Sequence, residues 1–339
     1  MQRHIHLHNQ PVITESGFKF ESIEITYHTL GTFDPSKNNV VWICHAFTAN
    51  SNPSEWWEGM VGEQKLFNPE DYFIVCVNML GSCYGTTGPL SINPQTQQPF
   101  YGDFPVITIR DMVHTLQIIK DALNINKIRF AVGFSMGGQQ LLEWMYESPE
   151  LFDDVLLGAT NAFHSPWGIA FNESQRLAIE VDPTFGDRNE KAGLKGMGAA
   201  RGIGVISYRN YRAYDKTQRE VNDDKFDHFK ASSYQKYQGE KLMKRFNAYS
   251  YWILSKAMDS HNIARNRKNM ESVLNTITTK THLVGIESDY LFPLREQQFL
   301  NDHLPNSDLT IIDSDYGHDG FLIEFEQLSS IIKLILNKD

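Results

Sequence analysis

The run Ile128–Val132 leads straight into Gly133-Phe134-Ser135-Met136-Gly137-Gly138, and a pattern with Leu141, Leu142, Met145 and Tyr146 follows at once. The apolar run reads as a buried strand and the pattern after it as one face of a helix. A strand handed to a helix through so tight a turn is the building unit of a parallel sheet covered by helices. The pentapeptide at the turn fits G-x-S-x-G. In that setting the serine sits on a strained turn that lifts its hydroxyl clear of the sheet, and the glycines leave room for close packing. The helix N-terminus behind it offers unpaired N–H groups to a developing oxyanion. A plain glycine-rich turn fits the pentapeptide alone equally well; the flanking strand and helix favour a nucleophile.

The same rhythm extends in both directions. Val40–Cys44, Tyr72–Val77 and Val155–Leu157 read as strands, and Met112, Leu116, Ile119 and Leu123 mark a helix over Ile109–Leu123. From about Phe163 to Arg265 no strand pattern is convincing and the segment reads as helices. The last of these helices is the clearest, with Leu242, Phe246, Tyr249, Ile253 and Ala257 in one apolar stripe. Strands return at Leu283–Ile286 and Leu309–Ile312, and Phe325–Leu336 reads as a closing helix. The expected fold is α/β, a mostly parallel sheet flanked by helices with an inserted all-helical cap. The expected division is core 1–162, cap 163–265 and core 266–339.

A chain of 339 residues, 41% hydrophobic, can bury such a core without metal or disulfide staples. Its net charge of −10 leaves no footprint for nucleic acid or an anionic membrane. Cys44, Cys76 and Cys83 are odd in number and lack C-x-x-C spacing, which suits a reducing compartment. The first residues, MQRHIHLHNQ, contain no apolar signal region, and no stretch is long and apolar enough to span a membrane. A cytoplasmic protein is expected.

A serine hydroxyl needs a base. With a nucleophile on such a turn, the acid and then the histidine follow in loops after late strands. Asp289 follows the Leu283–Ile286 strand and His318 the Leu309–Ile312 strand. Glu287, Asp313 and Asp315 compete; they read as strand-end turn residues, although Glu287 stays open as the acid. His45 precedes the serine and fits a structural role. The segment His45-Ala46-Phe47-Thr48 occupies the loop expected to supply a second oxyanion donor, so the backbone N–H groups of Phe47 and Met136 are the candidates. His4, His6 and His8 would share one face of a strand. That fits a half-buried edge strand with a polar outer face better than a metal site, and no metal is expected. Trp56-Trp57 reads as packing rather than a ligand platform.

With these residues assembled, the chain resembles the homoserine O-acyltransferase family of α/β-hydrolase-fold enzymes. The resemblance rests on Asn78–Cys83, Gly85-Thr86-Thr87-Gly88-Pro89, Asp103-Phe104-Pro105 and Thr108–Asp111. It continues through Arg245-Phe246-Asn247, Ala257–His261 and Tyr316-Gly317-His318-Asp319. It implies ping-pong transfer of an acyl group from acetyl-coenzyme A, through acyl-Ser135, to the hydroxyl of homoserine in methionine biosynthesis. It implies no bound cofactor, and a homodimer joined through the cap. It also implies homoserine binding by Arg201 and Tyr208 on the cap and by Asp319. Their seven-residue spacing puts Arg201 and Tyr208 on one helix face, two turns apart.

Several positions depart from the family pattern. Phe47 stands where leucine is usual and Phe134 where glycine is common, and the stretch Asp182–Arg188 lacks the usual tryptophan. Gly81-Ser82-Cys83 leans towards succinyl-using relatives and Thr86-Thr87 towards acetyl-using ones. Succinyl transfer, serine as acceptor, and ester hydrolysis on the same scaffold are the alternatives. Replacing Ser135 by alanine is expected to abolish labelling by a serine-reactive probe; undiminished labelling would remove the nucleophile assignment.

Overall fold

The computed structural model describes residues 1–337. Eight strands form one sheet: β1 (Gln2–His8), β2 (Ile23–Leu30), β3 (Val40–Cys44), β4 (Phe73–Val77), β5 (Ile128–Phe134), β6 (Phe152–Gly158), β7 (Lys280–Ile286) and β8 (Ser307–Ile312). Their spatial order is β1-β2-β4-β3-β5-β6-β7-β8. The β1–β2 and β2–β4 pairs are antiparallel, and the pairs from β4 to β8 are parallel. The helices of eight residues or more are α1 (Ile109–Ala122), α2 (Met136–Glu147), α3 (Pro166–Glu180), α4 (Leu194–Tyr208), α5 (Tyr211–Gln218), α6 (Lys230–Met243), α7 (Ala248–Asp259), α8 (Leu294–His303) and α9 (Phe325–Leu336).

The unbroken apolar runs reflect burial on both faces. In β3, Val40, Trp42 and Cys44 join the core that includes Met112 of α1 and Leu141 and Trp144 of α2, while Val41 and Ile43 join the core beneath Leu328 and Ile332 of α9. Successive side chains thus feed opposite layers, as a pleated strand requires. Helix α1 starts where its capping box dictates: the Thr108 side chain accepts the Asp111 N–H, and Asp111 returns the bond to the Thr108 N–H.

Helices α3–α7 lie between β6 and β7. The two ends of this helical segment are stitched together by a bridge between Phe163 and Asn262 and by His164 N–H donating to His261 O. None of the described helices is long and apolar enough to cross a membrane.

Two readings need correction. The stripe Leu242–Ala257 is not one helix: α6 ends at Met243, and Asn247, in an extended conformation, caps α7 by accepting the Ser250 N–H. Asparagine gains more as a cap than within a helix, so the chain breaks there. All five stripe residues are nevertheless buried, now from two helices. In β1 the histidines occupy the half-buried face, not the outer one, and Ile5 and Leu7 are exposed. His4 stacks on Tyr27 of β2 and its Nε2 lies 2.8 Å from Thr29 Oγ1, a polar match that isoleucine lacks.

Gly137, at the start of α2, touches the end of β3. A Cβ there would lie 2.1 Å from the Cys44 carbonyl oxygen. Gly137→Ala is therefore expected to cost about 3 kcal/mol, the upper end of overpacking penalties, read as a lowered urea midpoint.

Candidate active site

Ser135 joins β5 to α2 with φ 55° and ψ −127°. An L-residue rarely adopts a positive φ, so the surrounding bonds must hold it. Its N–H donates to Gly158 O at 3.0 Å, and its carbonyl accepts the Thr160 hydroxyl at 2.9 Å. A Cβ on Gly133 would fall 2.4 Å from Gly137 O, which explains the two glycines flanking the turn. Phe134 is buried and stacks on Phe321, ring centroids 4.7 Å apart.

His318 lies in a 3₁₀ turn, Gly317–Leu322, beyond β8. Its Nδ1 is 2.7 Å from Asp289 Oδ2, while Asp289 Oδ1 accepts the N–H groups of Leu291 and Phe292 at 2.8 and 2.9 Å. Asp289 is thus locked on one side and turned towards the imidazole on the other. Glu287 is exposed, and its backbone N–H serves the β8 end by donating to Ile312 O. Asp313 is exposed, and Asp315 pairs with Lys216 at 3.4 Å. Burial by itself lowers the His318 pKa, but the charge and hydrogen bond of Asp289, with further contributions from Asp319 and Glu296, leave it raised above 6.5. Phe292 stacks on the imidazole and Phe321 meets it edge-on.

Ser135 and His318 open into one cavity of about 480 Å3. Phe47, Arg201, Tyr208 and Asp319 line it too. Met136, next to Ser135, is fully buried. The backbone N–H groups of Phe47 and Met136 have no acceptor among the described residues. Two unspent donors beside a nucleophile are what an oxyanion requires. His45 holds the loop before Phe47: Nε2 accepts the Met79 N–H at 3.3 Å and Nδ1 lies 2.9 Å from Ala46 O. Burial lowers its pKa to about 4, so the ring stays neutral and structural.

Helix α4 presents Arg201 and Tyr208 to the cavity from above. The Arg201 guanidinium sits 5.3 Å from the Tyr208 ring centre, and no carboxylate pairs with it among the described residues. Asp319 is paired instead with a residue that sequence reasoning passed over: Arg209, whose Nε lies 2.9 Å from Asp319 Oδ2. An arginine at a helix end carries no sequence signal that separates it from solvated surface charge. His164 and Asn172 also line the cavity and were not singled out. His164 is held neutral by burial, which lowers its pKa to about 4. Trp57 is packing, with its indole N–H on Phe321 O at 3.0 Å, whereas Trp56 reaches the cavity wall. No group of His, Cys, Asp and Glu side chains able to hold a metal occurs among the described residues.

Residues 39–325 match the model of the alpha/beta hydrolase fold family. A homoserine O-acetyltransferase of Cyclobacterium marinum is 47% identical, covering 94% of this chain and 91% of its own. One from Chlorobaculum tepidum is 40% identical, covering 96% and 92%. The chain belongs to the homoserine O-acetyltransferase family. Among solved structures, the homoserine O-acetyltransferase of Staphylococcus aureus superposes with a TM-score of 0.82 at 26% identity, covering 99% of this chain and 96% of that one. Esterase E22 superposes with 0.89 at 21% identity, covering 99% and 100%, a likeness of fold alone. Within the homoserine O-acetyltransferase family, then, this chain carries a Ser135–His318–Asp289 constellation under a helical roof.

A raised His318 pKa keeps the imidazole protonated to higher pH, and only the neutral ring can accept the serine proton. The rate of serine-probe labelling is expected to fall below a midpoint above pH 6.5. Asp289→Asn should move that midpoint down and slow labelling by about 10⁴-fold; an unchanged midpoint would separate Asp289 from the base.

Proposed function

We propose that this chain transfers an acetyl group from acetyl-coenzyme A to the hydroxyl of L-homoserine through acetyl-Ser135. The observation that carries the reading is that the Arg201 guanidinium and the Asp319 carboxylate line one cavity with Ser135. Arg201 faces it without a carboxylate partner, and the Asp319 carboxylate accepts no hydrogen bond among the described residues. An acceptor bearing both a carboxylate and an ammonium satisfies the two together, with a bidentate fork onto Arg201 and the ammonium on Asp319. Tyr208 packs beside that fork. An ester hydrolase needs neither group.

His318 takes the Ser135 proton as Oγ attacks the thioester carbon, and the oxyanion settles on the N–H groups of Phe47 and Met136. The C–S bond breaks and His318 returns the proton to the departing thiolate. Homoserine then enters, His318 removes its hydroxyl proton, and the alkoxide attacks the acetyl-serine. As the ester bond to Oγ breaks, His318 restores the serine hydroxyl. Asp289 stabilises the imidazolium in both halves. Water competes for the acetyl-serine, so the enclosing helices and the fixed acceptor favour transfer over hydrolysis. The family's name for its members favours the acetyl donor over succinyl and homoserine over serine.

The working division of the chain is core 1–162, cap 163–265 and core 266–339. Exposed apolar side chains on the cap helices, among them Trp167, Leu177 and Ile206, suit a homodimer joined there. The three free cysteines suit a cytoplasmic setting.

Thiol release should be followed with acetyl- or succinyl-coenzyme A, each offered with homoserine or serine. Rapid release with acetyl-coenzyme A and homoserine alone is expected, and Arg201→Ala should raise the homoserine KM about a hundredfold, the worth of a bidentate charged contact. Full-rate release of acetate without homoserine would instead make the chain a hydrolase.

A further inference from the structure

Arg209 caps the C-terminal end of α4 and stands behind Asp319, outside the cavity wall. Its Nε is 2.9 Å from Asp319 Oδ2, yet that N–H is not aligned for a hydrogen bond. The contact is one of charge. It balances the carboxylate without consuming a directed acceptor site on it. The guanidinium is itself held 5.5 Å from the ring centre of Tyr316, two residues before His318. The backbones meet at the same place: Gly317 has φ +62°, and a Cβ there would lie 3.0 Å from Tyr208 O and 3.1 Å from the Arg209 carbonyl carbon. The end of α4 and the His318 loop therefore form one joint, and Arg209 is its polar clasp.

We propose that Arg209 is a positioning residue for the acceptor, fixing the Asp319 carboxylate so that its free oxygen faces the cavity and selects an ammonium group. The inference rests on the proposed acetyl transfer to homoserine. With Arg209 present, Asp319 is already charge-balanced, so a cation gains little from net charge and must gain from hydrogen-bond geometry. The carboxylate of the same ligand is fixed at Arg201, two helical turns from Tyr208 on α4. A joint that sets α4 against the His318 loop also sets the distance between the two anchors. Without Arg209, Asp319 is an unbalanced, partly exposed carboxylate free to turn towards water. The acceptor step then suffers, whereas acylation of Ser135 does not involve the ammonium site.

The test compares Arg209→Met and Arg209→Lys with the wild-type enzyme, each first shown to melt cooperatively. Acetyl-enzyme formation from acetyl-coenzyme A is measured alone, then transfer to homoserine and to 4-hydroxybutanoate, which is homoserine without its amine. The methionine variant is expected to show a homoserine KM raised about tenfold, the worth of one charge-assisted hydrogen bond. Its preference for homoserine over 4-hydroxybutanoate should fall by a similar factor, with the acetylation rate retained and lysine restoring much of the loss. An unchanged or lowered KM, or an undiminished preference, overturns the role of Arg209. So does an equal loss in both half-reactions in both variants. A wild-type enzyme that never acetylates Ser135 or never transfers to homoserine refutes the underlying function instead.

Discussion

The chemistry proposed for this molecule depends on a backbone held where an L-residue does not choose to go. Ser135 sits at φ 55° because β5 and α2 leave it no alternative. Conformations of this kind cost about 1–3 kcal/mol and persist only when their surroundings over-determine them. Here the surroundings are a strand buried between β3 and β6 and a helix whose first ten residues are all buried. Gly137 lets that helix rest directly on the end of β3, which also carries the loop bearing Phe47. The candidate nucleophile and the candidate oxyanion donors are thereby fixed by the same packing contact.

The second organising element is the joint between roof and core. The bridge at Phe163 and Asn262 ties the base of the helical segment, and Gly317 brings the His318 loop against the end of α4. The cavity is lined from both roof and core. Its acylating half comes from sheet-end loops and its acceptor half from α4 together with Asp319. The proposed division of labour follows that anatomy: the sheet supplies a general acylating device, and the roof supplies the identity of the acceptor. It also accounts for the shared fold with esterase E22, since the sheet device serves any acyl transfer while a fold by itself does not name a substrate.

Much of the arrangement was legible in the residues. The apolar runs at Val40–Cys44 and Ile128–Val132, the glycine-flanked serine and the closing helix Phe325–Leu336 all lie in the elements expected of them. What was misread has physical causes. The stripe from Leu242 to Ala257 keeps helical spacing across a break, because Leu242 and Phe246 pack into the same core from either side of the Asn247 cap. The polarity of imidazole points the β1 histidines outward, but Tyr27 and Thr29 offer His4 a partner inside.

The sequence alone pointed to a serine on a strained strand-to-helix turn, because the glycines at 133 and 137 leave room for it and the flanking periodicities read as a strand and a helix. It also placed an acid and then a histidine in loops after the last strands. It left Glu287 and Asp289 as alternatives, since two carboxylates in one loop have the same signature. The tertiary structure decided between them: the N–H groups of Leu291 and Phe292 grip one Asp289 oxygen and aim the other at His318, while Glu287 faces solvent. It alone revealed Arg209 behind Asp319, because a charge pair between a helix end and a loop over a hundred residues away is a property of distance in space, not of spacing in the chain.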